Sequence, residues 1–340
     1  MRPLALAALV VSALAGGCSS KTDRVVEVAE TVRVTEAEIE RDPAALLPGG
    51  AVGLIRLEVP ALLAAPFGAR LRSLVEQRVP VPPSAGFDPG RDLSTILVGV
   101  YSMQGADAAA VALGRFDPAA IERAADGVTQ TPLGAPLVRT SYARRTLYVS
   151  RNVGFTVLTP RVVLFGNETG IRRALDRLAE GRLAHDVPAW VDDLFRTPGA
   201  PVAAAFDLAG QPPVRALVQQ LPFLQGLRTA RVLGNLQPPG LNVAATATYQ
   251  DAAAADAGVR SLLTLYGQLR SYSFFLSLAG IDNPVQRLEA QPVGADARVV
   301  AALEGRAVEK LLVLAANHLG APGPTVPAQS GPATLPGGRP

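Results

Sequence analysis

Apolar and polar positions along this chain alternate at two periods, and the switches between them mark the elements. Val52–Val59, Leu93–Ser102 and Ala108–Phe116 read as strands, the last two joined by a turn at Gln104-Gly105-Ala106-Asp107. After the first strand, Phe67, Leu71, Leu74 and Val75 fall at helical spacing. Asp117-Pro118 is a helix N-cap with proline at the first helical position, so a helix is expected toward Ala125. Strands near Leu147–Ser150, Gly154–Leu158 and Arg161–Phe165 follow. Asn167 then opens a helix with Ile171, Ala174, Leu175 and Leu178 on one face, closed by Gly181.

The same order returns downstream. Val202–Leu208 is a strand, and Val214, Leu217, Val218 and Leu221 mark a helix. Thr229–Leu236 and Asn242–Tyr249 form a hairpin, and Asp251 starts a long helix with Val259, Leu262, Leu263, Tyr266 and Leu269 facing inward. Strands Val285–Gln291 and Ala297–Leu303 turn at Val293-Gly294-Ala295-Asp296, and a last helix carries Val308, Leu311, Leu312 and Ala315 on one face. Val162 and Val299, Ile171 and Val308, and Leu175 and Leu312 all differ by 137 in number. The pattern predicts an α+β fold, two similar units of mainly antiparallel sheet with helices packed on one face. It also predicts two sheets of the same strand order, with Ile171 and Leu175 in the core places that Val308 and Leu312 hold in the second copy. The units span 42–181 and 200–319. A linker with a short helix, 182–199, carries the only tryptophan, Trp190, expected to plug the seam.

Composition changes this picture at the ends. The chain of 340 residues is 49% hydrophobic and only 18% charged, which excludes disorder of the whole. Residues 320–340 are rich in Gly and Pro without apolar period and read as a disordered tail. At the other end, Met1-Arg2-Pro3 is a basic start, and Leu4–Leu14 is an uncharged apolar run too short for a stable membrane span. Small residues Ala15-Gly16-Gly17 lead to Cys18, the sole cysteine. Residues 1–17 thus read as a signal peptide and 18–41 as a polar tether, in which Thr35-Glu36-Ala37-Glu38 fits a capping box.

Leu14-Ala15-Gly16-Gly17-Cys18 resembles a bacterial lipobox, departing from it where Ala15 stands in place of the usual aliphatic residue. The resemblance implies a lipoprotein precursor acylated at Cys18, with palmitate or a similar chain among its acyl groups. Ser19 after the cysteine implies export to the outer membrane in Gram-negative lipoproteins. With the lipobox, the tether and a duplicated unit opening at Leu47-Pro48, the chain is similar to bacterial cell-envelope lipoproteins to which no activity is assigned. That resemblance carries over no catalytic residue. Acylation of Cys18 also leaves no thiol for a disulfide, a nucleophile or a metal.

Charge and chemistry exclude more than they identify. The formal net charge is +3, and all but Lys21 and Lys310 of the 32 basic residues are arginines scattered along the chain. The footprint of a nucleic-acid binder is missing. The two histidines, His185 and His318, lie in no metal-ligand spacing, and no serine elbow or phosphate loop is present. Asp192-Asp193 reads as a solvated helical face, since neighbours on a helix diverge by about 100°. Asp117 and Asp251 read as caps, and Gly166 and Gly170 around Asn167 as turn residues. Asp88 and Asp92 lie in a long, proline-rich loop, a place where function concentrates, but lack the further ligands of a calcium loop. The expectation is a non-catalytic, membrane-anchored binding or scaffolding module with no cofactor or metal and an unknown ligand site. Its partner is an envelope protein or an apolar ligand. The alternatives are a carrier of an apolar ligand between sheet and helices, and a hydrolase with an unrecognised site.

Overall fold

The computed structural model describes residues 34–271 and 285–319, apart from 79, 80, 82, 103–106, 129, 184–186, 213, 214, 216 and 217. Its strands are β1 (Gly53–Glu58), β2 (Leu93–Ser102), β3 (Asp107–Gly114), β4 (Val138–Tyr142), β5 (Arg145–Ser150) and β6 (Val153–Thr159). Then come β7 (Val162–Asn167), β8 (Val202–Asp207), β9 (Leu227–Asn235), β10 (Gly240–Tyr249), β11 (Val285–Val293) and β12 (Asp296–Glu304). All join one antiparallel sheet in the order β11-β12-β10-β9-β8-β1-β2-β3-β7-β6-β5-β4. Outward from the centre, β1-β2-β3-β7-β6 on one side matches β8-β9-β10-β12-β11 on the other. The expected repeat of strand order is present, and the α+β class with it. The two expected sheets are fused, because β1 and β8 pair across the seam with Ile55 opposite Ala204. That pairing removes an open edge from each half, where unpaired N–H and C=O groups would invite association.

Side chains alternate across the sheet, so register assigns each residue to a face. Leu54, Leu97, Val111 and Leu164 share the front face and join one core cluster. Helix α1 (Glu36–Arg41) packs there; its capping box is complete, with Glu38 N donating to Thr35 Oγ1 and Thr35 N to Glu38 Oε2. Ile39 on this helix is 0% exposed, and Thr159 donates to Glu40. Residues 36–41, expected within the tether, are instead a helix of the core.

The back face carries Ile96, Ala112, Val163 and Phe165. Helices α2 (Val59–Ala64), α3 (Gly68–Arg78) and α4 (Pro118–Asp126) lie over it, with Val59, Leu63 and Ile121 packed inward. The front face is lined by α5 (Glu168–Ala179), whose Ile171 and Leu175 enter the main core, and by α6 (Ala189–Phe195) at the seam. Helices of the first half thus cover both faces.

The second half differs. Helix α7 (Ala252–Ser271) covers the back face through Ala255 and Val259, which meet Tyr249 and Ala297. Leu263 and Leu269, expected inward, are 39% and 40% exposed. Of the helix expected around Val214–Leu221, Val214 and Leu217 lie outside the described residues, and 218–220 is a turn leading into a 3-10 turn at Pro222–Leu224. Helix α8 (Gly305–Leu319) is the counterpart of α5, yet Val308 and Leu312 pack with Leu57, Val202, Leu241 and Leu303, all on the back face. The expectation that Val308 and Leu312 fill the places of Ile171 and Leu175 is corrected here: both are apolar contacts, but against opposite faces. The difference begins in the strands: Val162, opposite Leu113, faces front, whereas Val299, 137 positions on and opposite Ala245, faces back. A Cβ at Gly166 or Gly170 would collide with the Ala108 carbonyl, so only glycine lets α5 tuck against β3. Leu303, 137 positions on from Gly166, lies opposite Leu241 on the back face, and α8 follows its strand to that side. Among the described residues no helix covers the front face of β10 and β12, where Val300 is 45% exposed.

Candidate apolar ligand site

An apolar cavity of about 440 Å³ lies behind the first half of the sheet. Its floor is the back face of β2, β3, β7 and β6, presented by Ile96, Ala112, Val163, Phe165, Phe155 and Val157. Its roof is Val75 of α3, Ile121 of α4, and Val81 and Phe87 from the loop that precedes β2. On β3 the floor offers Ala112, whose short side chain leaves room beneath the roof. The volume falls in the range of small-molecule sites, and an almost wholly apolar wall suits an apolar occupant.

Polar groups are few and sit at the ends. Asn152 and Asn167 line one end. Asn167 Oδ1 accepts from Gly170 N at 3.1 Å and from Ala108 N at 3.0 Å, so it is spent on capping α5 and fixing β3. At the other end, a recess of about 260 Å³ shares Phe87, Phe116 and Ile121 with the cavity wall and adds Arg91, Asp92, Arg115 and Asp117. Phe87 and Phe116 stack with centroids 6.1 Å apart between the two spaces. Arg91 grips Asp92 through two N–H···O bonds of 2.7 and 2.6 Å, and this hydrogen bonding holds the Asp92 carboxyl below its ordinary range.

The residues singled out in the sequence have mostly structural roles. Asp117 and Asp251 are caps, accepting from Ala120 N and Ala254 N. Asp88 accepts from Gly90 N and pairs with Arg72 at 3.0 Å, which pins the loop over the cavity to α3. Asp193 is exposed and pairs with Arg196. Gly166 and Gly170 serve close helix–sheet packing beyond turn geometry. Trp190 packs on the main core and lies under Arg231 of the second half at 4.5 Å, so it does join the halves. Cys18, His185 and the tail 320–340 lie outside the described residues, and His318 falls in the last turn of α8. Among the described residues no group of three metal-ligating side chains occurs. The cavity walls were missed by sequence reading, which took Phe116, Val163 and Phe165 for strand and core positions. The legible signal was the long loop before β2, whose Val81 and Phe87 form the roof.

No family model matches the chain, and no curated protein matches it in sequence. Among solved structures, crystal form III of TP0453 superposes with a TM-score of 0.51 at 11% identity, covering 79% of this chain and 96% of that one. Crystal form I gives 0.50 at 12% identity, over 80% and 96%. These likenesses establish a shared fold. No helix among the described residues is long and apolar enough to cross a membrane.

Proposed function

We propose that this chain is a non-catalytic, lipid-anchored binding protein of the bacterial envelope that holds a single apolar chain in the cavity behind the first half-sheet. The observation that carries the reading is the cavity itself, about 440 Å³ walled by Ile96, Ala112, Phe155, Val163 and Phe165. Each methylene buried there contributes roughly 0.8 kcal/mol, so a long chain is held without any directional bond. Acylated Cys18 supplies the anchor, since stable anchoring needs more than one lipid chain. The placement is exported and outer-membrane, following the lipobox-like segment and Ser19.

Two experiments test it. Nile red, a neutral apolar dye, should bind the full chain and be displaced by hexadecanol, and Ala112→Phe, which fills the floor, should abolish binding while circular dichroism stays unchanged. Failure of the native chain to bind either compound overturns the carrier reading. For the anchor, Cys18→Ser should move the protein out of detergent-extracted membranes or leave an unprocessed precursor. A variant that fractionates and labels like the native chain overturns that part.

A further inference from the structure

We propose that the apolar chain held in the cavity ends in an anionic head group, and that Arg115 is the residue that recognises it. The inference rests on the carrier reading and names the class of ligand: a long-chain carboxylate. The cavity has an apolar body, and a charged recess shares its wall at Phe87, Phe116 and Ile121. Beyond the stacked pair Phe87 and Phe116, the recess opens onto Arg91, Arg115, Asp92 and Asp117.

These four charges are not equivalent. Arg91 is consumed by Asp92, with a further bond to the Gly86 carbonyl at 2.7 Å. Asp117 caps α4 through Ala120 N at 3.0 Å. Arg115 makes no salt bridge among the described residues; its guanidinium donates to the Arg91 carbonyl at 3.3 Å, and its charge adds only the last contribution to lowering the Asp92 carboxyl, after that of Arg91. Its backbone is nevertheless fixed, because Arg115 N donates to Asp92 O and Phe116 N to Pro160 O. The result is an exposed guanidinium with spare donors, rooted one residue from the aromatic pair that divides body from recess. A planar guanidinium matches a carboxylate with two parallel bonds. Phe87 and Phe116 then close around the first carbons of the chain, with the head outside and the tail within.

The test compares hexadecanoate with hexadecanol on the full chain, read by displacement of Nile red at pH 8. A charge-assisted pair predicts at least tenfold tighter binding of the carboxylate. Arg115→Gln should bring hexadecanoate to the affinity of hexadecanol and leave hexadecanol unchanged, and Arg115→Lys should restore part of the preference. If both ligands bind the native chain equally, the head-group inference fails while the carrier reading stands. If Arg115→Gln keeps the preference, Arg115 is not the recognising group and the inference fails. If neither ligand binds, the carrier reading itself has failed, and this inference with it.

Discussion

The two halves of the sheet share a strand order but not a protection scheme. In the first, α5 and α1 seal the front, while α2, α3 and α4 roof the back loosely enough to leave a cavity. In the second, α7 and α8 both lie behind, and among the described residues no helix covers the front of β10 and β12, where Val300 and Ala244 are exposed. Strand register separates these outcomes. Val162 and Gly166 face front, and α5 follows on that side, while Val299 and Leu303 face back, and α8 follows there. A duplicated topology therefore need not duplicate its layers, because the strand order depends on hairpins and the helix side on the register of the strand before it. The half with two covered faces is the one that gained an interior, and the interior is where a ligand fits.

The largest expected effect compares matched positions. Leu175→Ala should cost about 2–5 kcal/mol in denaturant unfolding, because its side chain is 1% exposed in the main core. Leu312→Ala, 137 positions on and only half-buried, should cost well under half as much. Equal costs would break the distinction between the halves. Next comes the seam: Trp190→Ala should cost about 2 kcal/mol and loosen the second half preferentially, seen as faster hydrogen exchange in β9 and β10 than in β6 and β7. Uniform acceleration would mean the tryptophan serves only the first half.

A subtler expectation concerns Tyr148, on the back face of the first half. Burial, and then the nearby Asp126 that accepts its hydroxyl, push its pKa up to about 12 from an ordinary 10. The neutral form is favoured by folding, so its contribution is complete below pH about 10 and disappears as the pH rises through about 12. Tyr148→Phe should flatten the alkaline loss of stability across that window; an unchanged pH profile would contradict it. Smallest of all, Val300→Thr on the open front face should change stability by less than about 0.5 kcal/mol, while Val111→Thr, fully buried on the same face in the first half, should be strongly destabilising.

Much of this architecture was legible because strands with one buried face must alternate. Leu93–Ser102 is read with its observed bounds, and the shared offset of 137 matches the order of strand and helix but not the face of the sheet they meet. Strand β4 was not legible: Val138-Arg139-Thr140-Ser141-Tyr142 lies at a sheet edge, mostly polar and exposed, with no apolar alternation to find. The side taken by α8 was not legible either, since a one-dimensional pattern shows which helix face is apolar but not which sheet face it meets. Apart from the long loop before β2, the cavity had no signature of its own. Apolar wall positions and apolar core positions are the same residues in sequence, and only the span between β3 and the loop over it separates them.

The central pair carries a kinetic consequence. Ile55 and Ala204 are partners across 149 residues, so the seam closes only after a very long loop has been ordered. During synthesis the strands β1 to β7 are all available before β8 exists, and the first half can complete its own sheet with β1 as an open edge. For that interval the chain displays a bare strand, Gly53–Glu58, of the kind that other chains pair with. Closure by β8 is then the slow, non-local event of folding. The strand that joins the halves in the finished molecule is thus also its point of greatest vulnerability before β8 arrives.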